Sequence, residues 1–94
     1  MVRIYLTESE KRLHTLLSYL HDDSRVCGVT VLRGISGFGQ SGRLHEAHLV
    51  DLSFDLPVVI EFFDTPEKIF RILSHLNTLI EPGHLVYWPA CIND

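Results

Sequence analysis

The sequence predicts a single α+β domain in which strands and helices follow the order βαββαβ. Two segments carry apolar residues at helical spacing, and four shorter segments have the composition or alternation typical of strands. The 94 residues are enough for one domain and too few for two. We therefore expect residues 1–94 to form one domain, with a four-stranded antiparallel sheet and both helices on one face.

The first half of the chain supplies two strands and one helix. Residues 2–6 alternate apolar and other side chains, which predicts a strand. Thr7 and Glu10 have the spacing of a capping box, which predicts a helix start. The apolar stripe of that helix is formed by Leu13, Leu16, Leu17 and Leu20. Residues 26–33 are rich in β-branched side chains and are predicted as the second strand.

The second half repeats this order after a glycine-rich segment. Residues 58–63, VVIEFF, predict a buried central strand. Asp64 and Thr65 followed by Pro66 indicate the start of the second helix. Its apolar stripe is formed by Ile69, Ile72, Leu73, Leu76 and Ile80. Pro82 and Gly83 end the helix, and residues 84–88 form the last predicted strand.

Two right-handed crossovers in tandem give the strand order 4-1-3-2, which is a ferredoxin-like sandwich. This order places the strongly apolar first and third strands at the centre of the sheet. The helices cover one face only, so every second strand residue points away from them. Several of those residues are apolar: Tyr5, Leu32, Val59 and Phe63. An apolar uncovered face predicts an interface between copies of the chain.

Composition and charge argue against several classes of function. The formal net charge is −4 with only eight Lys and Arg, which argues against nucleic-acid binding. No apolar run approaches the ~18 residues of a membrane span. Cys27 and Cys91 are too few for a disulfide framework, and their topology predicts free thiols. We expect a cytoplasmic protein that does not insert into membranes.

The glycine-rich segment LRGISGFGQSGR, residues 32–43, is the strongest candidate for a binding site. Glycines let the backbone approach a ligand closely, and arginines favour a phosphate or carboxylate. A flexible loop is predicted over residues 35–43. The candidate ligand-binding residues in and beside it are Arg33, Gly34, Gly37, Gly39, Arg43 and His45. An alternative interpretation is a hairpin loop in which the glycines only permit turns.

Motifs for catalysis and metal binding are not found in the sequence. The glycine-rich segment has no G-K-[ST] ending and no G-x-S-x-G spacing, and C-x-x-C and H-E-x-x-H motifs do not occur. We see no nucleophile, base and orienting group in a recognisable pattern. The sequence therefore predicts no catalytic residues, no cofactor and no metal ligands.

Three stretches of the chain resemble a known family of proteins. VRIYLTESEK, VTVLRGISGFGQSGRLHEA and DLPVVIEFFDTPEKI are similar to small uncharacterised bacterial proteins related to the PII signal-transduction proteins. The resemblance implies a homotrimer that binds a nucleotide or another small effector and signals to a partner protein. It implies that residues 35–55 correspond to the long PII loop. By position, the turn containing Gly83 corresponds to the phosphate-contacting loop.

We therefore expect a PII-like homotrimeric signalling or adaptor module that binds a small anionic effector, such as a nucleotide, and an unknown partner protein. Two alternatives remain open at this stage. One is a small phosphate-handling enzyme of ferredoxin-like fold. The other is a metal-responsive trimer of the same superfold.

Overall fold

A computed structural model describes residues 1–7, 11–38, 44–46 and 56–93. The strands are β1 Val2–Thr7, β2 Gly28–Arg33, β3 Ser36–Phe38, β4 Leu44–Glu46, β5 Pro57–Phe63 and β6 Leu85–Tyr87. The helices are α1 Arg12–Ser18, which continues as a π-helical turn over Tyr19–Asp23, and α2 Pro66–Leu76.

The main sheet contains four strands in the order β2-β5-β1-β6, and all its neighbours are antiparallel. The predicted α+β class, with a four-stranded antiparallel sheet and two helices, is confirmed. Counted among these four strands alone, the order corresponds to 4-1-3-2. The difference in detail is a separate two-stranded ribbon, β3 paired with β4, which agrees with the hairpin given above as the alternative interpretation of the glycine-rich segment.

One hydrophobic core lies between the sheet and the helices. Strands β1 and β5 alternate strictly between buried residues and more exposed ones. The buried strand residues are Val2, Ile4, Leu6, Val58, Ile60 and Phe62. The helices contribute Leu16, Leu20, Ile69, Ile72, Leu73 and Leu76, with Ile80 just beyond α2. These are the predicted apolar stripes, and together they cover only one face of the sheet.

The capping box predicted at Thr7 and Glu10 stays a prediction, because Glu10 lies outside the described residues. Thr7 is the last residue of β1 and pairs with Pro57, so the sheet holds it in an extended conformation. Helix α1 begins at Arg12, with Lys11 as its N-cap residue and no side-chain cap hydrogen bond from Lys11.

The start of α2 agrees with the sequence, and the side-chain contacts there come from Asp64, the residue before the N-cap. Thr65 is the N-cap residue, but its side chain accepts no capping hydrogen bond. Asp64 accepts hydrogen bonds from the Thr65 amide at 2.7 Å and from the Cys27 amide at 3.0 Å, and it pairs with Lys68 at 3.2 Å. One carboxylate therefore connects the end of β5, the approach to β2 and the first turn of α2.

Part of the predicted loop over residues 35–43 has regular structure. Ser36–Phe38 forms β3 and pairs with Leu44–Glu46, so a loop through all of residues 35–43 is incorrect at residues 36–38. Residues 39–43 lie outside the described residues. Pairing across a short hairpin satisfies backbone groups that the glycine content alone would leave to water.

Candidate functional site

The chain that leaves β2 packs directly against the first residue of β5. The Gly34 amide donates a hydrogen bond to the Pro57 carbonyl at 2.7 Å. A Cβ atom added at Gly34 would lie 2.8 Å from Pro57 Cγ, and one added at Gly37 would lie 3.3 Å from the same atom. Two of the candidate ligand-binding glycines are thus explained by close packing within the chain. This supports the alternative interpretation for Gly34 and Gly37.

The other predicted site residues are spread over three places. Arg33 is the last residue of β2 and is exposed, and His45 pairs with Gly37 across the ribbon. Gly39 and Arg43 lie outside the described residues. Gly83 lies in the turn between α2 and β6 and has φ of 90°, a conformation that favours glycine.

Arg33 and Gly83 lie at the same end of the sheet but on opposite edges. Arg33 pairs with Val58, and Val58 pairs with Leu6 on β1. At that end of β1, the Tyr5 amide donates to the His84 carbonyl at 2.8 Å. The edges are separated by three strand spacings of ~4.8 Å. One chain therefore does not bring these predicted site residues together.

The face of the sheet that the helices leave uncovered, here called the outer sheet face, carries apolar residues at both edges, with Thr30, Glu61 and Arg3 in its central row. It carries exposed residues on β2, β1, β6 and the residue after β6: Leu32 at 47%, Tyr5 at 41%, Val86 at 42% and Trp88 at 40% exposure. Val59 and Phe63 of β5 lie between them and are half-buried. The predicted assignment to this face is confirmed for Tyr5, Val59 and Phe63 by the alternating burial of β1 and β5, and for Leu32 by its pairing with Val59.

A paired charge lies in the middle of the outer sheet face. Arg3 Nε donates to Glu61 Oε2 at 2.6 Å, and the Arg3 guanidinium lies 5.4 Å from the Trp88 ring centre. The hydrogen bond that Arg3 donates to Glu61 raises the pKa of Arg3 above its ordinary value. Arg3 and Glu61 would enter a buried interface already hydrogen-bonded, which lowers the cost of removing water from them.

A groove of about 830 Å³ runs between α1, the π-helical turn and β2. We call it the edge groove, and its apolar lining residues are Leu17, Leu20, Val26, Val29 and Val31. Val31 belongs to the helix-facing side of the sheet and pairs with the buried Ile60, yet it is 43% exposed. The helices therefore leave the inner side of β2 partly uncovered. The sequence signal for this site was the apolar character of β2 on both of its faces.

Among the described residues there is neither a metal-binding cluster nor a membrane-spanning helix. They contain no group of three or more His, Cys, Asp or Glu side chains that could hold a metal ion. Among the same residues, no helix is both long enough and apolar enough to cross a membrane. Cys27 and Cys91 are exposed free thiols.

Comparison with known proteins places this fold in a family. The family model DUF190, described as "Uncharacterized ACR, COG1993", matches residues 1–92. A UPF0166 protein of Aquifex aeolicus is 36% identical over 74 residues, covering 79% of this chain and 75% of the relative. A UPF0166 protein of Methanocaldococcus jannaschii is 34% identical over an alignment of 96 residues, covering 97% of this chain and 87% of the relative. The chain therefore belongs to the uncharacterised DUF190 family of UPF0166 proteins.

Proposed function

We propose that this chain is a PII-like signalling or adaptor protein that assembles as a homotrimer and binds a small anionic effector, such as a nucleotide, between its copies. It acts by binding and has no catalytic role of its own. The observation that carries the proposal is the apolar outer sheet face, which runs from Leu32 at one edge to Trp88 at the other.

Covering the outer sheet face supplies the driving force for assembly. Burial of apolar surface contributes about 25 cal/mol per Å², from which the costs of association are subtracted. The central Arg3–Glu61 pair brings its own partner into the interface. The resemblance to PII proteins supports three as the number of copies.

The effector site follows from the arrangement of the sheet edges. Rotation about an axis parallel to the strands keeps each residue at its own level, so the end of β2 in one copy faces the Gly83 turn of the next. A guanidinium such as that of Arg33 donates paired hydrogen bonds to phosphate or carboxylate oxygens. Gly83 has no Cβ atom, so a bound effector can approach the backbone of its turn closely.

The partner protein would contact the ribbon formed by β3 and β4. Ile35, just before β3, is 82% exposed and Phe38, at its end, is 75% exposed. Two large apolar side chains on a short ribbon offer the kind of anchor that protein interfaces use. The ribbon also packs on Pro57 close to Arg33, so an effector bound at Arg33 can change the position of these anchors.

The experiment is a thermal-unfolding screen with ATP, ADP, AMP and inorganic phosphate, combined with light scattering for the mass in solution. A ligand at a hundred times its Kd stabilises the folded state by about 2.7 kcal/mol. We expect a trimer and a rise in Tm with at least one nucleotide. Arg33→Ala should abolish the rise, whereas Arg71→Ala, which removes an exposed cation from α2, should retain it. A monomer, or an equal rise in both variants, would contradict the proposal.

A further inference from the structure

The chain continues beyond β6 as a segment that its own fold does not cover. Trp88 is held by two backbone hydrogen bonds to Met1, each 3.0 Å long. Residues 89–93, here called the C-terminal segment, have no regular structure and are all exposed. Ile92 is 57% exposed. Within the described part of the chain, no hydrogen bond joins the C-terminal segment to the rest of the fold.

The opposite edge of the sheet has an uncovered receptor. Among the described residues, strand β2 has a neighbour on one side only, and the backbone groups on its other side are of the kind that another chain can pair with. The edge groove runs beside it, and its lining combines apolar side chains with polar ones such as Ser18 and Asp22. Its volume of about 830 Å³ lies within the range of clefts that hold ligands of several hundred daltons, which suits a few residues of extended chain.

The C-terminal segment and the edge groove lie at the same end of the sheet. Val2 pairs with Tyr87 on one side and with Phe62 on the other, and Phe62 pairs with Val29 on β2. Val29 lines the edge groove, and the C-terminal segment starts two residues after Tyr87. If the copies of the proposed trimer are related by rotation about an axis parallel to the strands, this segment of one copy lies level with the edge groove of the next.

We propose that the C-terminal segment of one copy docks in the edge groove of the next, so that the interface is head-to-tail and closes into a ring. The occupant is a second copy of this chain because the C-terminal segment and the edge groove lie at the same end of the sheet but on opposite edges, so a ring of copies brings the two together. Docking covers Ile92 of one copy and Val31 of the other. This inference rests on the assembly in the proposed function and assigns its contact.

Two natural cysteines test the contact directly. Cys27 lines the edge groove and Cys91 lies in the C-terminal segment, and both thiols are exposed. The probe is a bifunctional maleimide shorter than the three strand spacings that separate the two edges within one chain. The wild-type protein should yield covalent dimers and trimers on a denaturing gel. Cys27→Ser and Cys91→Ser should each give none.

Co-expression of the two serine variants under different tags isolates the contact between copies. Covalent dimers that carry both tags are expected, since each such dimer joins Cys27 of one copy to Cys91 of another. Ile92→Glu in the chain that keeps Cys91 should slow this reaction about tenfold, the change that ~1.4 kcal/mol produces. Phe70→Glu, on an exposed part of α2, should leave the rate unchanged.

The outcomes separate this inference from the proposed function. A trimer by light scattering whose co-expressed variants do not crosslink would overturn the docking and leave the trimer standing. Crosslinks within either single variant would indicate contacts between like residues and would also overturn it. A monomer by light scattering would instead overturn the assembly itself.

Discussion

Shortening Leu32 to alanine measures what the outer sheet face contributes to assembly. Leu32 is 47% exposed in the single chain, so about half of it remains for a partner to cover. Full burial of a leucine side chain contributes about 1.5–3 kcal/mol, and the remaining half contributes about 1 kcal/mol. Three copies lose about 3 kcal/mol together, which lowers the association constant of a trimer about a hundredfold. The concentration at half-assembly should rise about tenfold, because the midpoint of a monomer–trimer equilibrium varies as the inverse square root of the association constant.

Sedimentation equilibrium over a concentration series gives this midpoint for wild type, Leu32→Ala and Leu32→Glu. The glutamate variant should be monomeric at concentrations where wild type assembles, because burial of an unpaired carboxylate costs several kcal/mol more. Phe70→Ala is the matched control, since Phe70 is 62% exposed but lies on α2. Equal midpoints for Leu32→Glu and wild type would refute the assignment of the outer sheet face to the interface.

Three further predictions concern stability and ligand binding. Gly34→Ala should destabilise the fold by about 1–3 kcal/mol in urea unfolding, because its Cβ would lie 2.8 Å from the Pro57 ring. Adding Pro57→Ala should restore part of this loss. A urea midpoint equal to that of wild type would contradict the close packing. Asp64→Asn should lower the free energy of unfolding by about 1.5–3 kcal/mol, because its hydrogen bonds to Thr65 and Cys27 are weakened. The same change at the exposed Asp23 should lower it by under ~0.5 kcal/mol. Similar losses in the two variants would argue against a stabilising role of the Asp64 hydrogen bonds. Arg33→Lys should keep part of any nucleotide affinity that Arg33→Ala removes, and equal affinities in wild type and both variants would move the site elsewhere.

The pH dependence of stability has a defined sign at Asp64. Burial of the Asp64 carboxylate opposes its ionisation, but the hydrogen bonds from Thr65, Lys68 and Cys27 outweigh burial and hold its pKa below the usual value. Its contribution is therefore present above the unfolded pKa of about 3.9 and is lost as pH falls through the lower folded pKa. In acid titrations followed by circular dichroism, Asp64→Asn should lose less stability below pH ~4 than wild type does. Parallel curves would contradict this.

Much of the fold could be predicted because hydrophobic spacing and turn residues agree with the tertiary structure. The leucine stripe of α1, the alternation in β1 and the VVIEFF run each correspond to a buried face. Local sequence does not reveal that Thr7 pairs with Pro57 in the sheet, a contact between residues 50 positions apart. Strand β3 was missed because glycines at 34, 37, 39 and 42 mask a short strand pattern, although a hairpin was the alternative interpretation of this segment.

The candidate site was harder to predict because its parts lie on different edges of the sheet. Glycines in LRGISGFG indicated close approach correctly, but the partner for Gly34 and Gly37 is Pro57 of the same chain. The edge groove was not predicted, since it depends on how far α1 extends across β2. Sequence patterns indicate which strand faces are apolar, whereas the gaps that the helices leave over those faces emerge only from packing.

Native mass spectrometry during an ATP titration tests the central claim most directly, because it counts chains and bound ligands in one spectrum. A homotrimer that binds its effector between copies predicts three chain masses and stepwise additions of up to three nucleotides. Those additions should disappear in Arg33→Ala while the trimer remains. A spectrum with single chains only, or with nucleotide bound to single chains as readily as to trimers, would contradict the account.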